Sequence, residues 1–241
     1  MTSWLPEALG QCELTEAVEG YLLGRGAKEE SYRELRVVTW THPYQKKIGP
    51  EEFQTRYGLA NRGLNIYGWL ICPIYSPKGR VIGFEGRNTK QKALTEYILP
   101  QGGWNPIWLG LTPDAMRRIW NGCDVWIVEG LFDLFPLEWV VSESDVVLAT
   151  LRARLTDKHV EFLRRFCRGW IHMAYDRDEQ GKKATHGWKD PTGKYRWGAL
   201  DKLKRVKLKC RDVPYSGGKD PGEIWDKGGA AGVRAAFSFA A

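Results

Sequence analysis

No Cys-x-x-Cys pair occurs in this chain, where Cys12, Cys72, Cys123, Cys167 and Cys210 stand singly. That scatter argues against a zinc ribbon, and the odd number fits a reducing compartment better than a disulfide framework. Each cysteine is expected as a small buried hydrophobe. A charged-then-apolar leader pattern is missing, and so is any apolar run of membrane-spanning length, which predicts a cytoplasmic protein with no membrane partner. Neither an internal repeat nor a low-complexity linker interrupts the 241 residues, enough for one large domain or two small subdomains.

What is present is basic charge, unevenly placed. The net charge of +7 hints at a polyanionic partner, and 43% hydrophobic with 27% charged residues argues against disorder. From Lys182 to Arg211 eleven Lys and Arg face only Asp190 and Asp201, with Trp188, Tyr195 and Trp197 interleaved. Stacking rings among cations suit single-stranded nucleic acid, although a solvated face with a few packing aromatics would have the same composition.

Leu14, Val18, Tyr21 and Leu22 recur at helical spacing until Gly24-Arg25-Gly26 ends the helix. Residues 27–66 are mixed, with short helix candidates and a basic pair, Lys46-Lys47. A hairpin follows: Trp69 to Tyr75, a Ser76-Pro77-Lys78-Gly79 turn, and Arg80 to Phe84 returning. It ends in Gly83-Phe84-Glu85-Gly86-Arg87, where glycines permit close backbone approach and Arg87 can meet a phosphate. A turn-rich region leads to a helix over Pro113 to Trp120. From Cys123 the pattern alternates, with strands at 125–128, 146–148, 170–175 and 206–213 and helices at 156–166 and around Leu200, Leu203 and Val206. Strands separated by helices imply a parallel, right-handed α/β unit. The change of pattern sets boundaries at 1–121, 122–228 and a tail, 229–241.

Acidic residues follow the strands. Glu129 ends the first, with Asp133 one helical turn on; Asp176 and Asp178 follow the third, before Gly181-Lys182-Lys183-Ala184; Asp220 sits in Lys219-Asp220-Pro221. Ligands of open α/β sheets bind outside the carboxyl ends of the strands. Alternate residues of an extended segment point the same way, so Asp176 and Asp178 can share one hard cation, Mg2+ or Mn2+. Carboxylates gathered near a basic patch suit nucleotidyl transfer, and without a cation they raise one another's pKa. Plainer readings exist: Asp and Gly after a strand also make an ordinary turn, Asp133 can favour a helix N-terminus, and Arg87 can be a surface charge.

This ordered set resembles the TOPRIM domain, a Glu-Gly after one strand and Asp-x-Asp after a later one. VEGLFD, DRDEQGKKA and GGKDPGEIW resemble the motifs of bacterial-type (DnaG-like) primases, as do YLLGRG and PIYSPKGRVIGFEGR upstream, so that the resemblance covers roughly residues 14–228. It implies an α/β chain, an α+β N-terminal subdomain followed by a Rossmann-like TOPRIM sheet. It also implies a primase making short RNA primers on a single-stranded DNA template from nucleoside triphosphates. Glu129 would be a metal ligand or general base, supported by Asp133; Asp176 and Asp178 would be the principal ligands and Asp220 a further acidic contact. Arg87 would face the template or nucleotide phosphates. Apart from the resemblance, the basic stretch with its rings offers Lys182, Lys183, Trp188 and Trp197 as nucleic-acid contacts, and Lys219 beside Asp220 is a further one. A replicative helicase or a separate template-recognition protein is the further partner implied.

The chain also departs from that family. Glu96-Tyr97-Ile98-Leu99 stands where Lys-Tyr-Leu-Asn is usual, so that a basic contact is either absent or moved to Lys90 or Lys92. Arg152-Ala153 replaces Gly-Thr and adds a cation near the metals. Pro136 falls inside the helix after Glu129, at a cost of about 3 kcal/mol unless that helix starts late or kinks. Residues 186–198 look inserted, as a strand-gripping loop. Zinc-binding and helicase-binding modules of full replicative primases are expected to be lacking, as in a phage or mobile-element enzyme. The competing functions are a TOPRIM nuclease using the same metals and a non-catalytic module that holds single-stranded nucleic acid.

Overall fold

The computed structural model describes residues 5–41, 66–90, 95–98, 108–151 and 154–237. It divides into two units, one of Met1–Gly24 with Lys28–Trp104 and one of Arg25–Ala27 with Asn105–Ala241. In the first, helices α1 (Leu5–Gly10), α2 (Glu16–Gly24) and α3 (Glu29–Glu34) precede an antiparallel sheet ordered β1 (Val38–Thr39), β2 (Leu70–Tyr75), β3 (Val81–Arg87) and β4 (Thr95–Ile98). The expected turn closes β2 onto β3, with Gly79 N donating to Ser76 O at 2.9 Å. β2 is an unbroken apolar run because both its faces are covered. Ile71 packs with Phe84, Trp40 and Trp69, and Leu70, Cys72 and Ile74 are buried as well. Opposite Cys72 lies Glu85, 3% exposed, with no hydrogen-bond partner for Oε2. Burial pushes its carboxyl up to about 7.

The second unit runs α4 (Pro113–Trp120), β5 (Val125–Val128), α5 (Leu131–Leu137), β6 (Val146–Ala149), α6 (Asp157–Phe166), β7 (Ile171–Met173), α7 (Glu179–His186), β8 (Trp188–Lys189), β9 (Tyr195–Arg196), α8 (Ala199–Arg205), β10 (Cys210–Asp212) and α9 (Pro221–Ala236). Its main sheet is parallel throughout, in the order β10-β7-β5-β6. Alternation within the strands sends Val125, Ile127, Val146, Leu148, Ile171 and Met173 into one core with Ala115, Ile119, Val160, Leu163 and Leu203 from α4, α6 and α8. Thr112 caps α4 and Thr156 caps α6 through their hydroxyls, at 3.0 and 3.3 Å.

The strand pattern changes at residue 122, but residues 108–121 pack with the sheet unit, because Ala115 and Ile119 complete its core. The last strands are shorter than the apolar runs suggest. Trp170 is exposed, its amide donating to Asp124 Oδ1 at 2.7 Å, and Lys207 takes a left-handed turn at φ 60° before β10. Residues 229–236, expected as tail, continue α9 past a kink at Gly229 and bury Val233 and Ala236. Pro136 lies inside α5 as its sixth residue, so the carbonyl of Phe132 receives no intrahelical bond from residue 136. The five cysteines are free thiols, buried or half-buried. No helix among the described residues is long and apolar enough to cross a membrane.

Candidate active site

The order β10-β7-β5-β6 reverses direction between β5 and β7, since the chain leaves β5 for β6 on one side and returns to β7 on the other. Such a switch point opens a crevice at the carboxyl ends of the strands. Glu129 follows β5 directly, and Asp176 follows β7 after Ala174 and Tyr175. They meet across the crevice, where Asp176 N donates to Glu129 Oε1 at 3.2 Å. Beneath them the Tyr175 and Thr150 hydroxyls lie 3.1 Å apart in the core, and the Tyr215 hydroxyl donates to Tyr175 O at 2.9 Å.

Each remaining acid is placed by a helix start. Asp178 caps α7, its Oδ1 accepting from Gly181 N at 2.8 Å. The first turn of α7 passes so close over the preceding loop that a Cβ on residue 181 would lie 2.0 Å from Asp176 O, so only glycine fits. Asp220 caps α9, its Oδ1 accepting from Glu223 N at 2.6 Å, while Lys219 Nζ lies 3.3 Å from its Oδ2. Asp133 ties two motifs together. Its Oδ2 accepts from Gly130 N at 3.1 Å and its Oδ1 from Gly222 N at 3.4 Å, joining the start of α5 to the start of α9. The helix-start role that is the plainer reading of Asp133 is therefore real, while Asp220 caps α9 and still keeps an oxygen facing Lys219.

Two arginines that the sequence reading left without a role hold this frame. Arg177, between the two aspartates, donates to Asp212 Oδ2 at 3.0 Å and to Val213 O, and lies 4.6 Å over the Tyr215 ring. Arg25 pairs with Asp226 of α9 and lies 5.2 Å over Phe132 of α5. Gly26, at φ 87°, packs so tightly on Trp225 that a Cβ would come within 2.8 Å of the indole, and its carbonyl accepts from Trp139 Nε1 at 2.8 Å. The only sequence signal for these contacts is the Arg-Gly that ends α2.

The electrostatics record crowding. Burial raises the Glu129 carboxyl to about 7, and the charges of Asp176, Asp178 and Asp220 push the same way against the amide of Asp176. Burial raises Asp176 to about 6, followed by Asp220 and Asp178 and opposed by Lys219. Asp133 is pushed well above the carboxylate range by burial, then by Asp220 and Asp176. An all-oxygen donor set whose members suppress one another's ionisation fits a hard divalent cation, which would favour the charged forms. Among the described residues, no group of three or more His, Cys, Asp or Glu side chains is placed to hold a metal ion.

The structure thus gathers Glu129, Asp133, Asp176, Asp178, Asp220 and Lys219 at one end of the parallel sheet. Lys182 is exposed on α7, where Lys183 pairs with Glu179. Trp188 and Trp197 are exposed on and beside the β8–β9 hairpin. Arg87 ends β3 in the first unit and Lys90 follows it, exposed. Lys92, Arg152 and the Lys46-Lys47 pair lie outside the described residues.

Comparison with known proteins agrees with this architecture. The Toprim-like family matches residues 126–225. The DNA primase of Deinococcus radiodurans is 28% identical over 174 residues, covering 71% of this chain and 28% of that protein. The solved structure of the DnaG catalytic core has a TM-score of 0.68 at 19% identity, over 97% of this chain and 75% of the other. The DnaG primase catalytic domain bound to single-stranded DNA has a TM-score of 0.63 at 19% identity, over 97% and 77%. The chain covers 28–32% of the length of the first curated primases it matches. The chain thus carries a Toprim-like segment over residues 126–225, is similar in sequence to bacterial DNA primases, and has the fold of the DnaG catalytic core.

Proposed function

We propose that the chain carries out primase-type nucleotidyl transfer, making short RNA primers on a single-stranded DNA template from nucleoside triphosphates. The observation that carries this reading is the meeting of Glu129 and Asp176 across the switch point, with Asp178 and Asp220 beside them. Once bound, Mg2+ or Mn2+ would neutralise the triphosphate and stabilise charge on the attacking and leaving oxygens. Glu129, Asp176 and Asp178 are its holders, and Glu129 is alternatively the base that takes the proton of the attacking hydroxyl. Asp133 sets the spacing of the two loops, and Asp220 steadies Lys219 as a cation for phosphate. Arg87, Lys90, Lys92 and Arg152 supply further phosphate contacts, and Lys182, Lys183, Trp188 and Trp197 contacts to the strand. A replicative helicase or a separate template-recognition protein is the partner this activity calls for.

The test is incorporation of labelled nucleoside triphosphates on single-stranded DNA, with Mg2+ or Mn2+, by the parent and by Glu129→Gln. Short metal-dependent products that vanish in the variant are expected. Cleaved template without synthesis would replace this reading with that of a nuclease.

A further inference from the structure

The β8–β9 hairpin is firmly stapled yet leaves its rings in solvent. Trp188 pairs with Arg196 and Lys189 with Tyr195 across the two strands. At the tip, Asp190 Oδ1 accepts from the amides of Thr192 and Lys194, both at 3.0 Å, and Asp190 Oδ2 takes Arg196 at 2.8 Å. At the base, the Tyr195 hydroxyl lies 2.8 Å from both His186 O and Asp201 Oδ2. Even so, Trp188, Tyr195 and Trp197 are 38%, 45% and 45% exposed, three of the seven large hydrophobic side chains exposed among the described residues. Tyr195 fastens the base through its hydroxyl, but the indoles of Trp188 and Trp197 take no part in these polar contacts and still stand in water, so a partner that covers them is the simpler account.

Beside the hairpin, a groove of about 620 Å3 lies between α6 and α8. Val160, Val206 and Trp197 give it apolar lining, and Arg164, Lys202 and Arg205 give it positive charge. With Asp157 and Glu161 also in the lining, three cations against two acids leave a net charge of +1, Lys202 pairing with Asp157 at 3.1 Å and the two arginines remaining against Glu161. The Arg205 guanidinium lies 4.9 Å over the Trp197 ring. A ring bordered by guanidinium groups matches a nucleobase with its flanking phosphates, and the volume falls within the range of small-ligand pockets.

We propose that this hairpin and groove form a second binding surface for single-stranded nucleic acid, separate from the carboxylates. A base stacks on Trp197 while neighbouring phosphates meet Arg164 and Arg205, and Trp188 offers a further ring. The surface begins where α7 ends, about 12 Å from Asp178 at 1.5 Å per residue, close enough to hold a strand that also reaches the crevice. It rests on the second unit alone and does not require the carboxylates to act.

The experiment is fluorescence anisotropy of a labelled oligothymidylate with the full chain in EDTA, which separates binding from any metal-dependent reaction. Trp197→Ala is expected to weaken binding about 5- to 150-fold, the loss of one stacked base, while Trp197→Phe retains most of the affinity. Arg164→Gln should reduce the salt slope by about one counterion. Binding in EDTA requires no metal and no turnover, so failure of the nucleotidyl-transfer reading leaves this result intact. Parent-like affinity of a Trp188→Ala, Trp197→Ala double variant with a native melting curve would overturn the proposal. So would equal affinity for duplex, or an equal loss in Trp197→Phe.

Discussion

Binding of a divalent cation at the switch point should expel protons, in a number that the crowding of the carboxylates sets. With Glu129 near 7 and Asp176 near 6, the two together carry about one proton at pH 6.5 and close to two at pH 5. Apparent affinity for Mg2+ or Mn2+ should therefore rise about tenfold per pH unit around pH 6.5, and about a hundredfold per unit near pH 5. Replacing Glu129 by Gln should leave only about a quarter of a proton to be released at pH 6.5, from Asp176. Stability without the cation runs the opposite way. Glu129 rises from 4.5 unfolded to about 7 folded, so its contribution is fully present below 4.5 and is lost as pH rises through 7. Allowing for solvent screening at a partly exposed site, that loss is about 1–2 kcal/mol. Titration calorimetry in two buffers of different ionisation enthalpy measures the protons, and thermal melts against pH measure the stability. Affinity that stays flat between pH 5.5 and 7.5, or binding that releases no protons, would refute the reasoning.

Gly181→Ala places a methyl group where Asp176 O already sits, so the Asp176–Asp178 loop must move. Cation affinity should fall more than about tenfold, with a destabilisation of about 1–3 kcal/mol in chemical denaturation; a variant that binds the metal normally contradicts the packing argument. Glu85→Gln should remove the stability loss that the parent suffers as pH rises from 4.5 through about 7, a relative gain of about 1–3 kcal/mol at pH 8. A parent-to-variant difference that does not change with pH would show that Glu85 is not buried as described. Arg25→Ala should cost about 1–2 kcal/mol of unfolding free energy, by removing the Asp226 pair and the stacking on Phe132. Suppression of that cost in an Asp226→Ala background is the confirming double-mutant result.

The parallel sheet and its carboxylates were legible because their signals are local. Short apolar runs, capping residues and the acids just past β5 and β7 all lie within a few positions of one another. The spacing of Asp176 and Asp178 likewise says that both leave the same strand. What escaped depends on distant partners. Nothing near Arg25 names Asp226, 201 residues away, and nothing near Asp133 names Gly222. Glu85 read as part of a glycine-rich approach to phosphate, whereas the sheet buries it opposite Cys72. Residues 229–241 read as a tail, but Gly229 at φ 54° only kinks α9, which runs on to bury Val233. Residues 186–198 read as an inserted loop, and the structure makes them an ordered hairpin because Asp190 and Tyr195 satisfy its turn and base.

The central claim is that Glu129 and Asp176 act as one unit in nucleotidyl transfer. Rates of labelled-nucleotide incorporation on single-stranded DNA, for the parent, Glu129→Gln, Asp176→Asn and the double variant, test it most directly. Two carboxylates serving one cation predict that either single change removes nearly all activity and that the double change costs little more. Losses that multiply, or a single variant that keeps the parent rate, would contradict the account.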